Sequence, residues 1–146
     1  MADHAAERGI GAMSAAVVLA AAIRAALTAH GPLTEGLVGI FDAPPVRAAT
    51  PHAVIGEALL SDWGTKDMAG REARVVVSLF DAGESPARLR RLAGEVEVAT
   101  AGMPREIGGG WELASRVLLR ARIERKGEGR WVATSEWRLR MLKGGI

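Results

Sequence analysis

Histidine and cysteine are the side chains most often used to bind transition metals, and this chain offers few of them. It has three histidines, His4, His30 and His52, and no pair has the short spacing of a helical zinc-binding motif. The chain has no cysteine, which excludes disulfides, cysteine-ligated zinc and thiol nucleophiles. We therefore interpret the histidines as structural or solvated residues and expect no bound metal.

The sequence patterns of common catalytic and cofactor sites are also missing. There is no GxSxG nucleophile elbow and no GxxxxGK[ST] phosphate-binding loop. The segment Gly9-Ile10-Gly11 matches only part of a dinucleotide-binding pattern, because no predicted strand precedes it. Asp62 and Asp67 share a polar loop, and nothing marks them as the buried pair that acid–base catalysis needs. We expect no catalytic residue, no cofactor and no enzymatic activity.

Basic residues are concentrated near the C-terminus. Between Arg116 and Lys143 there are nine arginines and lysines against three glutamates, which gives this segment a net charge of +6, whereas the whole chain has only +2. Such a surface fits a contact with nucleic acid or with an acidic protein. The alternative is a pair of strands with a solvated charged face, and the sequence leaves both interpretations open.

The first element expected along the chain is an alanine-rich helix. Apolar residues recur at helical spacing over Ala12–Ala29, and Gly31-Pro32 is a typical helix end. Residues 1–10 are expected to be flexible. The uncharged run Gly9–Ile23 has 15 residues, fewer than the roughly 20 that cross a bilayer. We therefore expect a buried helix and no membrane segment.

Two hairpins and a second helix are predicted for the rest of the chain. Apolar residues on both faces predict an interior strand at His52–Leu60. Alternating apolar residues predict three more strands, at Arg71–Phe80, Leu113–Lys126 and Trp131–Met141. Ser85-Pro86 is a typical helix start, and that helix extends to about Ala101. The sequence thus predicts a single α+β domain over residues 1–146. Its antiparallel sheet has about four strands in two hairpins, backed by two helices in the order α-β-β-α-β-β.

A series of short motifs between Phe41 and Phe80 resembles a known family. The motifs are Phe41-Asp42-Ala43-Pro44-Pro45, Pro51, Val54-Ile55-Gly56-Glu57, Asp62-Trp63-Gly64-Thr65-Lys66 and Gly70-Arg71-Glu72. In this order and spacing they resemble the tail-completion, or tail-terminator, proteins of long-tailed phages and of phage-derived gene transfer agents. The resemblance extends from about Met13 to Met141.

The resemblance implies a structural role in particle assembly. It implies a homohexameric ring that caps the tail tube, ends tail polymerisation and joins the tail to the head. The implied partners are other copies of the chain, the tail tube protein and a head-completion or connector protein, while DNA passes through the lumen without sequence-specific binding. The implied location is the bacterial cytoplasm during assembly and then the head–tail junction. The alternatives are a head-completion or connector subunit and, with less support, a small nucleic-acid-binding domain.

A ring subunit needs residues that contact its neighbours or the tail tube. The polar loop Ser61–Arg71 between the first two strands is the candidate contact, because aromatic and charged anchors dominate such interfaces. The alternative is that Trp63 packs over its own sheet. The basic hairpin supplies further candidates, which are expected to meet protein more than DNA, because strong phosphate binding would hold DNA in the lumen. The predicted interface residues are Asp62, Trp63, Lys66, Arg71, Glu72, Arg138 and Arg140.

Overall fold

The computed structural model describes the backbone of residues 2–144 and the side chains of residues 15–144. Within this range the chain forms three helices and seven strands. In chain order they are α1 (Ala2–Ala29), α2 (Gly31–Thr34), β1 (Gly39–Phe41), β2 (His52–Ile55), β3 (Leu59–Asp62), β4 (Gly70–Ala82), α3 (Ala87–Ala101), β5 (Glu106–Gly108), β6 (Trp111–Arg125) and β7 (Arg130–Lys143).

The predicted fold class is wrong. The described residues are mostly β-structure, and the seven strands form one mixed sheet that curls into a half-barrel, not a four-stranded antiparallel sheet backed by two helices. The strand order is β1-β2-β4-β7-β6-β5, with β3 also paired to β4. The β1–β2 pair is parallel and the others are antiparallel.

The prediction failed mainly in the segment before β4. The strand expected at His52–Leu60 is interrupted, so that β2 and β3 pair one after the other with the same side of β4. At the break the Gly56 amide donates to the Val76 carbonyl at 2.9 Å. A Cβ on Gly56 would lie 3.0 Å from that oxygen, so glycine permits this close approach.

The C-terminal hairpin was predicted within a few residues. Strands β6 and β7 pair antiparallel from Trp111↔Lys143 to Arg125↔Trp131. Gly127 and Gly129 have φ values of 122° and 66°, which L side chains rarely adopt, and they form the turn. Strand β7 then pairs with β4 over 13 residue pairs, so these long strands make the centre of the sheet.

Helices α1 and α3 pack against one face of the sheet and form a single hydrophobic core with it. At the start of α3 the N-cap residue is Pro86, one position later than predicted, and the Ser85 hydroxyl accepts a hydrogen bond from the Ala87 amide at 3.1 Å. The main buried side chains are Leu19, Ile23, Leu27, Leu89, Leu92, Val96, Val75, Val77, Leu79, Trp137, Leu139 and Met141.

The expected flexibility of residues 1–10 concerns Met1, which lies outside the described residues, and a segment described only as backbone. It stays a prediction, as does the single-domain organisation of residues 1–146. The backbone of α1 begins at Ala2, ten residues before the predicted helix start.

Candidate interaction surface

The face of the sheet that points away from α1 and α3 carries polar side chains, and we call it the outer face. Along β4 every second side chain is buried in the core, and the intervening ones lie on the outer face. Residues directly opposite each other in neighbouring strands share a face, so the strand register extends this surface over four strands. The outer face comprises Leu59, Ser61, Glu72, Arg74, Val76, Ser115, Val117, Arg120, Glu136, Arg138 and Arg140.

Four of the predicted interface residues meet on the outer face. The Nε of Arg140 donates to Oε1 of Glu72 at 3.0 Å, and the Nε of Arg138 lies 3.8 Å from the same oxygen. The guanidinium of Arg140 also lies 5.2 Å from the ring centroid of Trp63, a cation–π distance. We call these four residues the Glu72 cluster. Trp63 is therefore half-buried against its own chain, as the alternative interpretation expected.

Asp62 and Arg71 form a separate pair. They are direct partners across β3 and β4, in the row of the buried residue Met141, and so lie on the opposite face from the Glu72 cluster. The Nη1 of Arg71 is 3.6 Å from Oδ1 of Asp62, whose side chain is 84% exposed. Such an exposed pair contributes roughly 0–1 kcal/mol. Its main structural role is at the loop entrance, where Asp62 also accepts from the Gly64 amide at 3.2 Å.

Lys66 stands apart from the other predicted interface residues. It is exposed at the tip of the loop between β3 and β4, and it has no ion pair among the residues that the structure describes. Thr65 closes the tip, because its hydroxyl accepts from the amides of Asp67 and Met68 at 3.3 and 3.1 Å. These hydrogen bonds therefore fix the conformation of the loop, but Lys66 does not contact the Glu72 cluster.

Several outer-face residues were not predicted from the sequence. Arg74 is exposed and has no ion pair within the described part of the chain. Arg120 pairs with Glu136 at 2.9 Å. Three apolar side chains are also exposed, Leu59 at 73%, Val76 at 39% and Val117 at 36%. Alternation in β4 was the signal available for Arg74, but the sequence could not show which face the helices cover or where the register of β6 shifts.

A buried ion pair lies at the other end of β4. The side chain of Asp81 is only 4% exposed and accepts from Nε of Arg88 at 2.9 Å and from Nη2 of the same residue. The hydrogen bond from Arg88 lowers the pKa of Asp81 below its ordinary value of 3.8, and it outweighs the opposing effect of burial. Both groups are charged and satisfied at neutral pH, which suits a structural tie between the sheet and α3.

Two surface pockets lie away from the Glu72 cluster. One, of about 640 Å³, lies beside His52, Phe80 and Trp131. The His52 ring stacks on Phe80 with centroids 5.0 Å apart, and its Nδ1 is 3.2 Å from the Ala49 carbonyl, so it is already engaged in packing. The other pocket, of about 540 Å³, lies between α1 and α3 and is lined mainly by alanines.

Neither pocket contains an evident chemical site. No group of three or more histidine, aspartate or glutamate side chains is placed to bind a metal ion within the described residues. His30 is held by Glu95, with 2.7 Å between Nε2 and Oε1, and joins α1 to α3. His4 lies where side chains are not described. In the same part of the chain no helix has the length and apolar character to span a bilayer.

The sequence decides the family. The family model described as "Tail completion protein gp17" matches residues 15–140, most of the chain. The chain belongs to the tail completion protein family. This confirms the resemblance drawn from the motifs between Phe41 and Phe80, and it makes the chain a structural protein of phage-type tails. No curated protein sequence matches it.

The fold occurs in solved structures. A chain from the structure titled "Virion of native gene transfer agent (GTA) particle" aligns with a TM-score of 0.70 and 22% identity, over 82% of this chain and 91% of that one. In all, 29 chains of solved structures match. At this identity the comparison establishes the shared fold. The half-barrel sheet with α1 and α3 on one face is therefore an architecture that this tail completion protein has in common with a component of such a particle.

Proposed function

We propose that this tail completion protein forms a ring that caps the tail tube, ends tail polymerisation and joins the tail to the head. The observation that carries the proposal is the family match over residues 15–140, and the shared fold with a chain of a gene transfer agent particle supports it. The role is structural and needs no catalysis or cofactor. It is exercised at the head–tail junction, after assembly in the bacterial cytoplasm.

A homohexameric ring requires head-to-tail contacts between unlike surfaces of successive copies. Such contacts close into a ring when the rotation per copy allows it. The chain offers two unlike edges of one curled sheet, together with a charged outer face between them. The tail tube protein and a head-completion or connector protein are the partners on the two sides of the ring.

The charge arrangement favours protein contacts over tight DNA binding. Much of the basic character of β6 and β7 is compensated within the chain, because Arg120 pairs with Glu136, Arg122 with Glu124, and Arg140 with Glu72. Paired guanidinium groups bind phosphate less strongly than free ones, since they must first give up a carboxylate. DNA that passes through the lumen is thus not held by a dense array of free cations.

The proposal is tested by deleting the gene in a strain that produces the particles and examining the products by negative-stain microscopy. Overlong or ragged tails, detached from filled heads, are expected. Tails of normal length beside unattached heads would show that the protein acts as a connector instead. Normal particles would contradict both roles. Re-expression of the gene from a plasmid provides the control.

A further inference from the structure

Strand β6 has an edge without a neighbouring strand. One side of β6 pairs with β7 along its length, while β5 on the other side reaches only Trp111 and Glu112. From Ser115 onward, alternate amide and carbonyl groups of β6 point away from β7, and no strand lies beside them within residues 2–144. An edge of this length is a template for a strand of another chain.

The opposite side of the sheet has a second open edge at β3. This strand pairs with β4 on one side, and within the described residues no strand pairs with its other side. The two edges differ in charge. Glu57 before β3 and Asp62 at its end have exposed carboxylates, whereas the edge of β6 carries the exposed guanidinium groups of Arg120 and Arg122, each paired with a glutamate of its own chain.

The two edges also match in their apolar residues. Leu59 pairs with Arg74, Arg74 with Arg138, and Arg138 with Val117, so one cross-strand row of the outer face begins and ends with an exposed aliphatic side chain. In the adjacent row Arg120 pairs with Glu136, and Glu136 with Val76. This second row ends at Val76, because the break between β2 and β3 places the Gly56 amide opposite the Val76 carbonyl.

We propose that β3 of one copy pairs with β6 of the next copy, with Leu59 beside Val117 and Ser61 beside Ser115. This rests on the ring proposed above and specifies its subunit contact. Strands β3 and β7 run in one direction and β4 and β6 in the other, so the new pair is antiparallel when the ring axis follows the strands. Each row of one copy then continues into the same row of the next, and the exposed aliphatic side chains meet in register.

Strand β1 limits the length of this contact. β1 pairs with the side of β2 that faces away from β4. Followed across β4 and β7, residues 52–55 of β2 lie in the same cross-strand rows as residues 121–124 of β6. A neighbouring β6 that continued straight would therefore meet β1. The register shift between Leu118 and Arg120 is a bulge, which bends a strand away at this point. The pairing thus involves about four residues of β6, up to Val117, opposite the four residues Leu59–Asp62 of β3.

A cysteine cross-link tests the register directly. Within one copy, Leu59 and Val117 are separated by three strand spacings, about 14 Å, whereas a disulfide needs Cα atoms within about 7 Å. Because the chain has no cysteine of its own, a disulfide in the double variant Leu59→Cys/Val117→Cys forms only between copies. After mild oxidation of purified particles, we expect the monomer band on a non-reducing gel to be replaced by multiples of the chain. Each single variant should remain monomeric.

Two results would overturn the edge pairing. One is a double variant that enters particles in normal amount but stays monomeric after oxidation. The other is equal cross-linking of the single variants, which would show a contact between identical surfaces. Either result leaves the tail-termination role untouched, because that role is decided by the tail lengths of the deletion strain.

Discussion

At the scale of single residues, the buried carboxylate of Asp81 depends on the guanidinium of Arg88. Arg88→Ala leaves a charged acceptor with 4% exposure and no ionic partner. We expect a loss of about 2 kcal/mol in the free energy of unfolding, measured by urea denaturation at pH 7. Arg90→Ala is the matched control, because Arg90 is exposed on the same helix and has no ion pair within the described residues. Equal losses in the two variants would contradict the assignment.

The same pair predicts a pH dependence. The hydrogen bond from Arg88 lowers the pKa of Asp81 in the folded protein, so the stabilisation is complete above the ordinary value of 3.8 and is lost as the pH falls through the lowered pKa. The difference in unfolding free energy between the wild-type protein and Arg88→Ala should therefore be constant from pH 7 to 5 and shrink below about pH 4. Urea titrations at several pH values measure it, and a difference that persists unchanged in acid would exclude this cause.

The residues of the Glu72 cluster were named from the sequence, but their meeting was not predicted. Charge identified Arg138 and Arg140, and the family motif identified Trp63 and Glu72. Glu72 and Arg140 are 68 positions apart, and only the β4–β7 register brings them within 3.0 Å. Arg74 was not predicted, because the alternating pattern of β4 does not show which of its charged side chains form ion pairs. The sequence therefore identified residues of the outer face, whereas the pairing of distant strands determined which of them are in contact.

At the scale of elements, local patterns predicted the hairpin β6–β7 and helix α3, whose signals are a turn and a capped start. The three-residue strands β1 and β5 were missed, because they are too short to show a period. β1 is also parallel to β2 and is joined to it by a proline-containing loop, so its pairing follows from packing and not from local sequence. This non-local pairing converts the predicted two hairpins into a mixed, curled sheet.

Alanine substitutions at two glycines test whether the β3–β4 loop and helix α3 have room for an added methyl group. A Cβ on Gly64 would lie 2.7 Å from the Met68 carbonyl oxygen, whereas one on Gly94, in the middle of α3, meets nothing within 4 Å. Gly64→Ala should therefore destabilise the protein by about 1–3 kcal/mol, because the loop backbone must shift. Gly94→Ala should stabilise it by about 0.5–1 kcal/mol, because alanine loses less backbone entropy in a helix. Thermal unfolding measures both, and changes of the same sign would contradict this account.

At the scale of the whole molecule, the outer face carries two kinds of charged side chain. Some form ion pairs that stabilise the sheet, and others are available to a partner. The guanidinium groups of Arg138 and Arg140 both lie near the Glu72 carboxylate. Replacing both arginines with glutamate would therefore place three carboxylates together and destabilise the sheet. A loss of tail joining in that double variant would then not distinguish a folding defect from an assembly defect. Arg74 has no ion pair among the described residues, and it directly faces Arg138 across the strands.

Arg74→Glu therefore separates assembly from stability. It replaces a pair of like charges by opposite charges, so the free energy of unfolding should stay the same or rise by about 0.5 kcal/mol. If the outer face meets an acidic surface of a neighbouring copy or of the tail tube, the yield of joined particles should nevertheless fall by about tenfold. Arg90→Glu makes the same charge change on α3, on the helix-covered side of the sheet, and should leave the yield unchanged. A normal yield with Arg74→Glu would mean that the arginines of this face contribute to the sheet alone, and that the ring is held together at its strand edges and loops.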